Sequence, residues 1–397
     1  ADVLKTAITS PGPDFQDRFF LSRFVPSDPS NFADTRVRNT EIADLLAKIA
    51  AEGRDAFYAG EVAQAIVDTV HARGGVLTLQ DLADYRPVET VPLRAQALDK
   101  TILTMPLPSS GGPALIQCLL TVGERRDMLA NVKVDMPQYA HLIAEALKLA
   151  MADRARFLAD PECTDASVDP MLDPARIRAR ALRIMNRTTL APDSDAVVDP
   201  LPDDAGTSHL CVVDRHGNAV ACTETVNLEY GSRIPVVRYG FFLNNQMDDF
   251  STQPGRPNAF GLRQADANLP GPRKRPLSSM TPTIILDHRG DVQMVAGASG
   301  GPRIISATLQ VILRVILFGQ SAHQAVNAPR LHHQWSPNVV YLEENPKPSD
   351  DTLRGLRDRG QIVQMTDRGA AVQCIVRDPV HRTLWHSAAD PRKRPPE

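Results

Sequence analysis

The sequence predicts an α+β protein built from two β-sheets packed face to face with helices outside. Three observations carry this reading. Strand-like pairs joined by short turns recur around residues 215–218, 288–290 and 378–379. Long helical patterns stand apart from them, above all at 137 to about 158 and at 304–318. The chain has 397 residues, 43% of them hydrophobic, enough for a large core and for two or three domains.

Taken in order, residues 1–38 are rich in Pro, Ser, Asp and Phe without a lasting period and read as loop. Thr40 is expected to cap a helix with Ile42, Leu45, Leu46 and Ile49 on one face and Gly53 at its end. A second helix runs from about Glu61 to Arg73 and stops at Gly74-Gly75. Thr78-Leu79-Gln80-Asp81 reads as a capping box for a short helix to about Tyr85. Residues 88–97 and 101–105 are strand-like, and a Gly-Ser-Pro loop at 106–112 leads into a helix opened by Pro113 and running through Val122. That loop suggests a phosphate cradle at a helix start but lacks the Lys-Ser/Thr of a P-loop.

The helix at 137 to about 158 carries one stripe of Tyr139, Leu142, Ile143, Ala146, Leu149, Ala150 and Asp153. Residues 174–187 read as a basic helix with Arg176, Arg178, Arg180, Arg183 and Arg187. No aromatic residues interleave it, so a solvated face is favoured over a nucleic-acid or lipid surface. Beyond residue 206, strands are expected at 208–214 and 219–226, a short one at 240–243, and a hairpin of 283–286 with 292–296. The Pro- and Gly-rich stretch 251–276 is long enough to be a lid or site wall. Residues 304–318, nearly all apolar, form a buried helix. A helix at 351–359 and strands at 371–377 and 382–387 close the chain.

A net charge of −3 gives no reason to expect nucleic acid or a charged membrane surface as partner. No apolar run reaches the length of a membrane span, and residues 1–25 contain no apolar signal core. The five cysteines follow no zinc spacing and read as free, buried thiols, with Cys211 and Cys222 able to face each other on paired strands. His332-His333 lacks a carboxylate at ligand spacing and reads as structural, so no metal site is expected.

The chemistry gathers around Gly206-Thr207-Ser208-His209. Thr207 lies between an acidic loop, 192–204, and a strand. Gly206 allows a strained backbone and leaves its carbonyl open to the next side chain. Cleavage there would free the α-amine of Thr207, which titrates near ~8 and can serve as base for its own hydroxyl. The plain alternative is a threonine capping a strand end.

Several motifs follow in order: Thr225-Val226-Asn227, Asn244-Asn245-Gln246-Met247-Asp248-Asp249, Pro276-Leu277-Ser278-Ser279-Met280-Thr281-Pro282 and Gly297-Ala298-Ser299-Gly300-Gly301-Pro302-Arg303. With Pro108-Ser109-Ser110-Gly111-Gly112, Ala328-Pro329-Arg330-Leu331-His332-His333-Gln334-Trp335 and Ala389-Asp390-Pro391-Arg392, they make the chain resemble the γ-glutamyltranspeptidases (glutathione hydrolases), which are N-terminal-nucleophile hydrolases. The resemblance implies a four-layer αββα sandwich, a layer count that periodicity alone does not supply.

It also implies roles. Thr207 is the nucleophile at the Gly206–Thr207 cleavage site, and Thr225 hydrogen-bonds it. Asn227, Gln246 and Asp249 hold the α-amino end of a γ-glutamyl group, and Ser278 and Ser279 help fix its α-carboxylate. The N–H groups of Gly300 and Gly301 form the oxyanion hole, and the 106–112 loop is structural. The residue types are chemically suited to these roles. An ammonium seeks carboxylate and amide oxygens, a carboxylate seeks hydroxyls, and an oxyanion seeks N–H groups free of a nearby Cβ. Singly, each has a plainer use as a turn, a cap or a helix start.

The implied activity is self-processing γ-glutamyl transfer from glutathione or related amides to water or to an amino acid or peptide, with no metal or organic cofactor. Residues 1–206 would be the C-terminal part of a large subunit and 207–397 a small subunit, paired as a heterodimer, with a periplasmic or secreted location. Two departures stand out. Family members carry, before the point where this chain starts, a long segment with an arginine that pairs the substrate carboxylate. No matching segment is found here, so either the chain is a fragment or the carboxylate pocket is incomplete. Phe260 stands where some bacterial members carry a lid residue with a hydroxyl contact. Two rival readings remain: a cephalosporin or glutaryl acylase of the same fold, and an unprocessed, inactive chain.

Overall fold

A computed structural model describes residues 37–191 and 206–393. Most of the loop expected at 1–38 and all of the acidic loop at 192–204 lie outside the described residues. The first elements are α1 (Thr40–Glu52), α2 (Asp55–Tyr58), α3 (Gly60–His71), α4 (Leu79–Asp84), β1 (Leu93–Ala97) and β2 (Lys100–Thr104). Four helices follow: α5 (Gly111–Glu124), α6 (Pro137–Phe157), α7 (Asp169–Leu172) and α8 (Pro174–Ala181). Next come β3 (Thr207–Val213), β4 (Ala219–Thr225), β5 (Pro235–Val236), β6 (Phe241–Phe242), β7 (Thr283–Leu286) and β8 (Val292–Ser299). The chain continues with α9 (Arg303–Phe318), α10 (Ala322–Asn327), β9 (Leu331–His332) and β10 (Val340–Glu343). It closes with α11 (Asp350–Arg357), β11 (Val363–Thr366), β12 (Ala371–Arg377) and β13 (Trp385–Ala389).

These elements form two compact units. Of the described residues the smaller draws on 37–89 and 228–245, so it combines chain from both sides of Thr207. Its core is Leu45, Val62, Ile66 and Val236, with Ile49, Phe57, Leu82 and Phe241 packed on it. The capping box at Thr78 and Asp81 is present. Thr40, in contrast, is the first helical residue. The cap is Asn39, whose side chain accepts the Ile42 N–H and whose amide donates to Gly240 O at 2.6 Å.

The larger unit is built on an antiparallel six-stranded sheet, ordered β1-β2-β7-β8-β12-β13. The β3–β4 hairpin packs against β8 and β12, and α9 packs against the same two strands. Strand β8 is buried from Met294 to Ser299 because it is covered on both faces. A Cβ on Gly297 would meet the His209 ring of β3 at 2.2 Å, so the Gly297 face is the hairpin's, and alternation turns Ala296 and Ala298 the other way, toward α9. Helix α5 packs on α9 and β1, and α6 lies against α5 and α11. The result is the expected α+β sandwich; among the described residues its second sheet is the β3–β4 pair.

Several boundaries differ from expectation for local reasons. Strand β1 starts at Leu93, not Val88, because 88–92 lie exposed between Pro87 and Pro92, and proline cannot donate to a ladder. The last strand is 385–389 because Leu384 N–H closes a turn onto His381 O at 2.8 Å. Elements α10 and β9 to β11 are short and are not among the expected elements, although Ser321 and Gln324 form a capping box that opens α10.

Helix α6 buries more than the expected stripe. Glu145 and Lys148 are also interior, 3.1 Å apart, and Lys148 donates to Thr189 Oγ1 at 2.7 Å. The basic helix is only 174–181, and it is not simply a solvated face. Arg176 meets the buried carboxylate of Asp153 at 2.6 Å, and Arg180 meets it too. The cysteines are free, but only Cys118 and Cys374 are buried, while Cys163 and Cys222 are exposed. The hairpin register pairs Leu210 with Cys222 and Cys211 with Ala221, which puts Cys211 and Cys222 on opposite faces. His332 and His333 are buried, with side-chain contacts to Ser306, Gln334 and Asn338. No helix of the described residues is long and apolar enough to cross a membrane.

Candidate active site

The site starts from the register of one hairpin. Thr207 opens β3 and Thr225 closes β4, directly opposite. Thr207 is 4% exposed, and its hydroxyl oxygen lies 2.9 Å from that of Thr225. The Thr225 hydroxyl donates to the Gly206 carbonyl at 3.3 Å and accepts the Asn227 N–H at 2.8 Å. Its single proton thus points at Gly206, which leaves it an acceptor for the Thr207 hydroxyl. The Gly206 carbonyl takes a second donor, the Val226 N–H, at 3.0 Å.

The chain leaves β4 through Asn227, held at φ 74, a left-handed conformation that asparagine tolerates better than most residues. Gln246 to Asp249 form one turn of 3-10 helix. Within it the Gln246 amide donates to Asp249 Oδ2 at 2.7 Å, and Asp249 is buried. Ser278 is held from behind by the 106–112 loop. Its carbonyl accepts Ser110 N–H at 2.8 Å and Ser110 Oγ–H at 2.6 Å, and its N–H donates to Pro108 O at 3.0 Å. The loop at 106–112 is therefore used structurally. Gly300 and Gly301 bridge β8 and α9 with φ of 142 and 54, and a Cβ on Gly300 would meet Ala370 at 2.6 Å.

All the predicted site residues except Gly206 and Gly300 line one cleft, joined by Phe260, Met280 and Ile304. Gly206 is hydrogen-bonded to Thr225 at its edge, and Gly300 precedes Gly301. The open space is about 20 Å³, room for roughly one water. A larger cavity of about 320 Å³ lies among α6, α9 and α11, away from these groups. The predicted site residues converge in the smaller one.

Sequence reasoning missed the layer beneath. Arg154, 1% exposed, donates to Ser110 Oγ at 2.7 Å. Burial pulls its guanidinium down to about 10, opposed by the Asp249 carboxylate. Gln264 and Asn268, both buried, donate to the Asp249 carbonyl at 3.1 and 2.9 Å. No periodic pattern marks these residues. The one available hint was that 251–276 is too long for plain connection.

A family model described as gamma-glutamyltranspeptidase matches residues 8–395. The chain belongs to the γ-glutamyltranspeptidase family. It is 38% identical over 368 residues to the glutathione hydrolase proenzyme of Escherichia coli K12, covering 92% of this chain and 62% of that protein. It is 37% identical over 355 residues to the glutathione hydrolase proenzyme of Pseudomonas aeruginosa, covering 89% and 63%. The chain therefore spans less than two thirds of the length of these relatives. Among solved structures, cephalosporin acylase from Bacillus halodurans superposes with a TM-score of 0.78 at 24% identity, over 98% of this chain and 67% of that one. That likeness concerns the fold.

Proposed function

We propose that this γ-glutamyltranspeptidase-family chain cleaves itself before Thr207 and then acts as a γ-glutamyl hydrolase and transferase. The observation that carries the reading is the Thr225 hydroxyl, which contacts both the Thr207 hydroxyl and the Gly206 carbonyl. The Thr207 oxygen attacks the Gly206 carbonyl carbon. The developing oxyanion receives the Val226 N–H and the Thr225 hydroxyl. The Gly206–Thr207 C–N bond breaks, the nitrogen takes the proton, and water hydrolyses the resulting ester. The products are a Gly206 carboxylate and a free Thr207 α-amine.

That amine then acts as base for the Thr207 hydroxyl against a γ-glutamyl amide such as glutathione. Asp249, Gln246 and Asn227 receive the substrate ammonium, and Ser278 and Ser279 help hold the α-carboxylate. Gly300 and Gly301 N–H groups stabilise the oxyanion, and the amine departs with a proton. Water then releases glutamate, or an amino acid or peptide amine takes the acyl group. Residues 1–206 become part of a large subunit and 207–397 a small one. Strand pairing of β2 with β7 supports their staying together as a heterodimer, since it joins chain from the two sides of the cut. A periplasmic or secreted location follows from the family resemblance.

The test is a denaturing gel combined with two substrates. The protein should resolve into two pieces split at 206/207 and should hydrolyse γ-glutamyl-anilide well above glutaryl-anilide. Thr207→Ala should stay whole and be inactive. An uncut protein that still turned over γ-glutamyl substrates would refute the mechanism. A preference for the glutaryl compound would favour an acylase.

A further inference from the structure

The proposed substrate carries its ammonium and its carboxylate on one carbon, yet the groups assigned to them come from two segments, Gln246 to Asp249 and Ser278-Ser279. Catching both ends at once requires the spacing between those segments to be held within about 0.5 Å. One side chain bonds Asp249 of the first segment and Leu277, the residue just before the second. Asn268, fully buried, donates Nδ2–H to the Asp249 carbonyl at 2.9 Å and accepts the Leu277 N–H on Oδ1 at 3.1 Å. Turning the amide over would set oxygen against oxygen and N–H against N–H, so its two partners fix its orientation.

A second connection runs behind the first. Gln264 Nε2–H donates to the Asp249 carbonyl at 3.1 Å, and Gln264 Oε1 accepts from Arg154 Nη1 at 3.4 Å. Arg154 Nε–H donates to Ser110 Oγ at 2.7 Å, and the Ser110 hydroxyl donates to the Ser278 carbonyl at 2.6 Å. Among the described residues Arg154 Nη2 has no hydrogen-bond partner, and the carboxylate that acts on its charge is that of Asp249. Arg154 thus links Gln264, bonded to the Asp249 carbonyl, with Ser110, bonded to the Ser278 carbonyl.

We propose that Asn268, backed by Arg154, is a positioning residue that sets the distance between the ammonium and carboxylate ends of the site. It thereby makes the enzyme select acyl groups carrying both. The inference rests on the γ-glutamyl reading above. Glutaryl-anilide keeps the carboxylate and lacks the amine, so it needs only one of the two segments and serves as internal control.

The experiment measures KM and kcat for both anilides in wild type and Asn268→Leu, alongside the rate of self-cleavage. Asn268→Leu should raise KM for the γ-glutamyl compound by about tenfold, the worth of one well-made hydrogen bond. KM for the glutaryl compound and the cleavage rate should stay within about twofold of wild type. Ser110→Ala and Gln264→Leu, which cut the second connection, should move the same ratio in the same direction. They also decide the matter should Asn268→Leu not fold. Folded, self-cleaved variants with an unchanged ratio would overturn the spacing role alone. Wild-type protein inert toward γ-glutamyl-anilide would instead overturn the function on which it rests.

Discussion

Thr207 and Thr225 face each other across the β3–β4 hairpin with hydroxyl oxygens 2.9 Å apart, and the Thr225 hydroxyl reaches back to the carbonyl that precedes Thr207. One side chain therefore touches both the Thr207 oxygen and the Gly206 carbonyl, the two groups that the proposed self-cleavage brings into reaction. Thr225→Val keeps the shape and removes the hydroxyl. Self-cleavage should slow by about 10²-fold, as for loss of one oxyanion donor, with Val226 N–H still in place. Thr225→Ser should recover most of the rate. The fraction of cut chain on timed gels reads it directly, and a Thr225→Val protein cutting at the normal rate would remove Thr225 from the chemistry.

Gly300 cannot be replaced quietly. At φ 142 an L side chain is strained, and a Cβ would lie 2.8 Å from Ala370 Cα. Ala370 in turn cannot retreat easily, because its carbonyl accepts from buried Arg330 at 2.8 Å, and Arg330 is paired with Asp390 at 2.7 Å. Gly300→Ala should cost roughly 1–3 kcal/mol in stability and lower turnover more than about 10²-fold. Adding Ala370→Gly removes the Cβ contact but neither the backbone approach nor the strain, so it should restore stability only in part. Denaturation and kinetics on the single and double variants check this.

What could be read from the sequence was what the sequence encodes locally. The β3–β4 hairpin, the β7–β8 hairpin and the capping box at Thr78 each depend on residues a few positions apart, and their limits fall within a few residues of expectation. The cleft was legible only as an ordered set of motifs, since its walls come from segments around 207, 246, 278 and 300 that no periodicity connects. Partners distant in sequence were not legible. Nothing in the sequence connects Arg154 with Ser110, 44 positions away, which the fold joins at 2.7 Å. Likewise, Glu145 and Lys148 are polar positions on a helix, and they are satisfied inside by each other and by partners distant in sequence, Thr189 and Gln361.

Acid should weaken the fold before the carboxylates titrate. Burial pushes the imidazole of His209 down to about 4 and that of His332 to about 3, and holds His333 well below its ordinary 6.5. Between those values and about 6.5 the unfolded chain binds protons that the folded chain refuses. Stability is therefore complete above about 6.5 and falls as pH drops toward 4, by roughly 1.4 kcal/mol per pH unit for each such histidine. Urea midpoints at pH 7.5, 6 and 5 should decline in that order. A midpoint flat down to pH 4 would mean that these rings are protonated in the folded protein.

The arginines of α8 should separate into two kinds on substitution. Asp153 is 3% exposed, and it accepts from Arg176 at 2.6 Å, from Gln117 at 2.7 Å and from Arg180. Burial pushes its carboxyl up, but Arg176, Arg180 and Gln117 more than offset this and hold it below the usual range. Removing that carboxylate leaves two guanidiniums, both less than a third exposed, without their shared partner. Asp153→Asn should therefore cost about 3–5 kcal/mol. Arg180→Ala should cost less, because Arg176 still neutralises the charge. Arg178, 72% exposed and 3.9 Å from Glu124, should be replaceable by alanine within about 0.5 kcal/mol. Chemical denaturation of the three variants orders them. Equal, small effects for all three would mean that the helix is the solvated basic face its charge pattern suggests, and that Asp153 is satisfied without it.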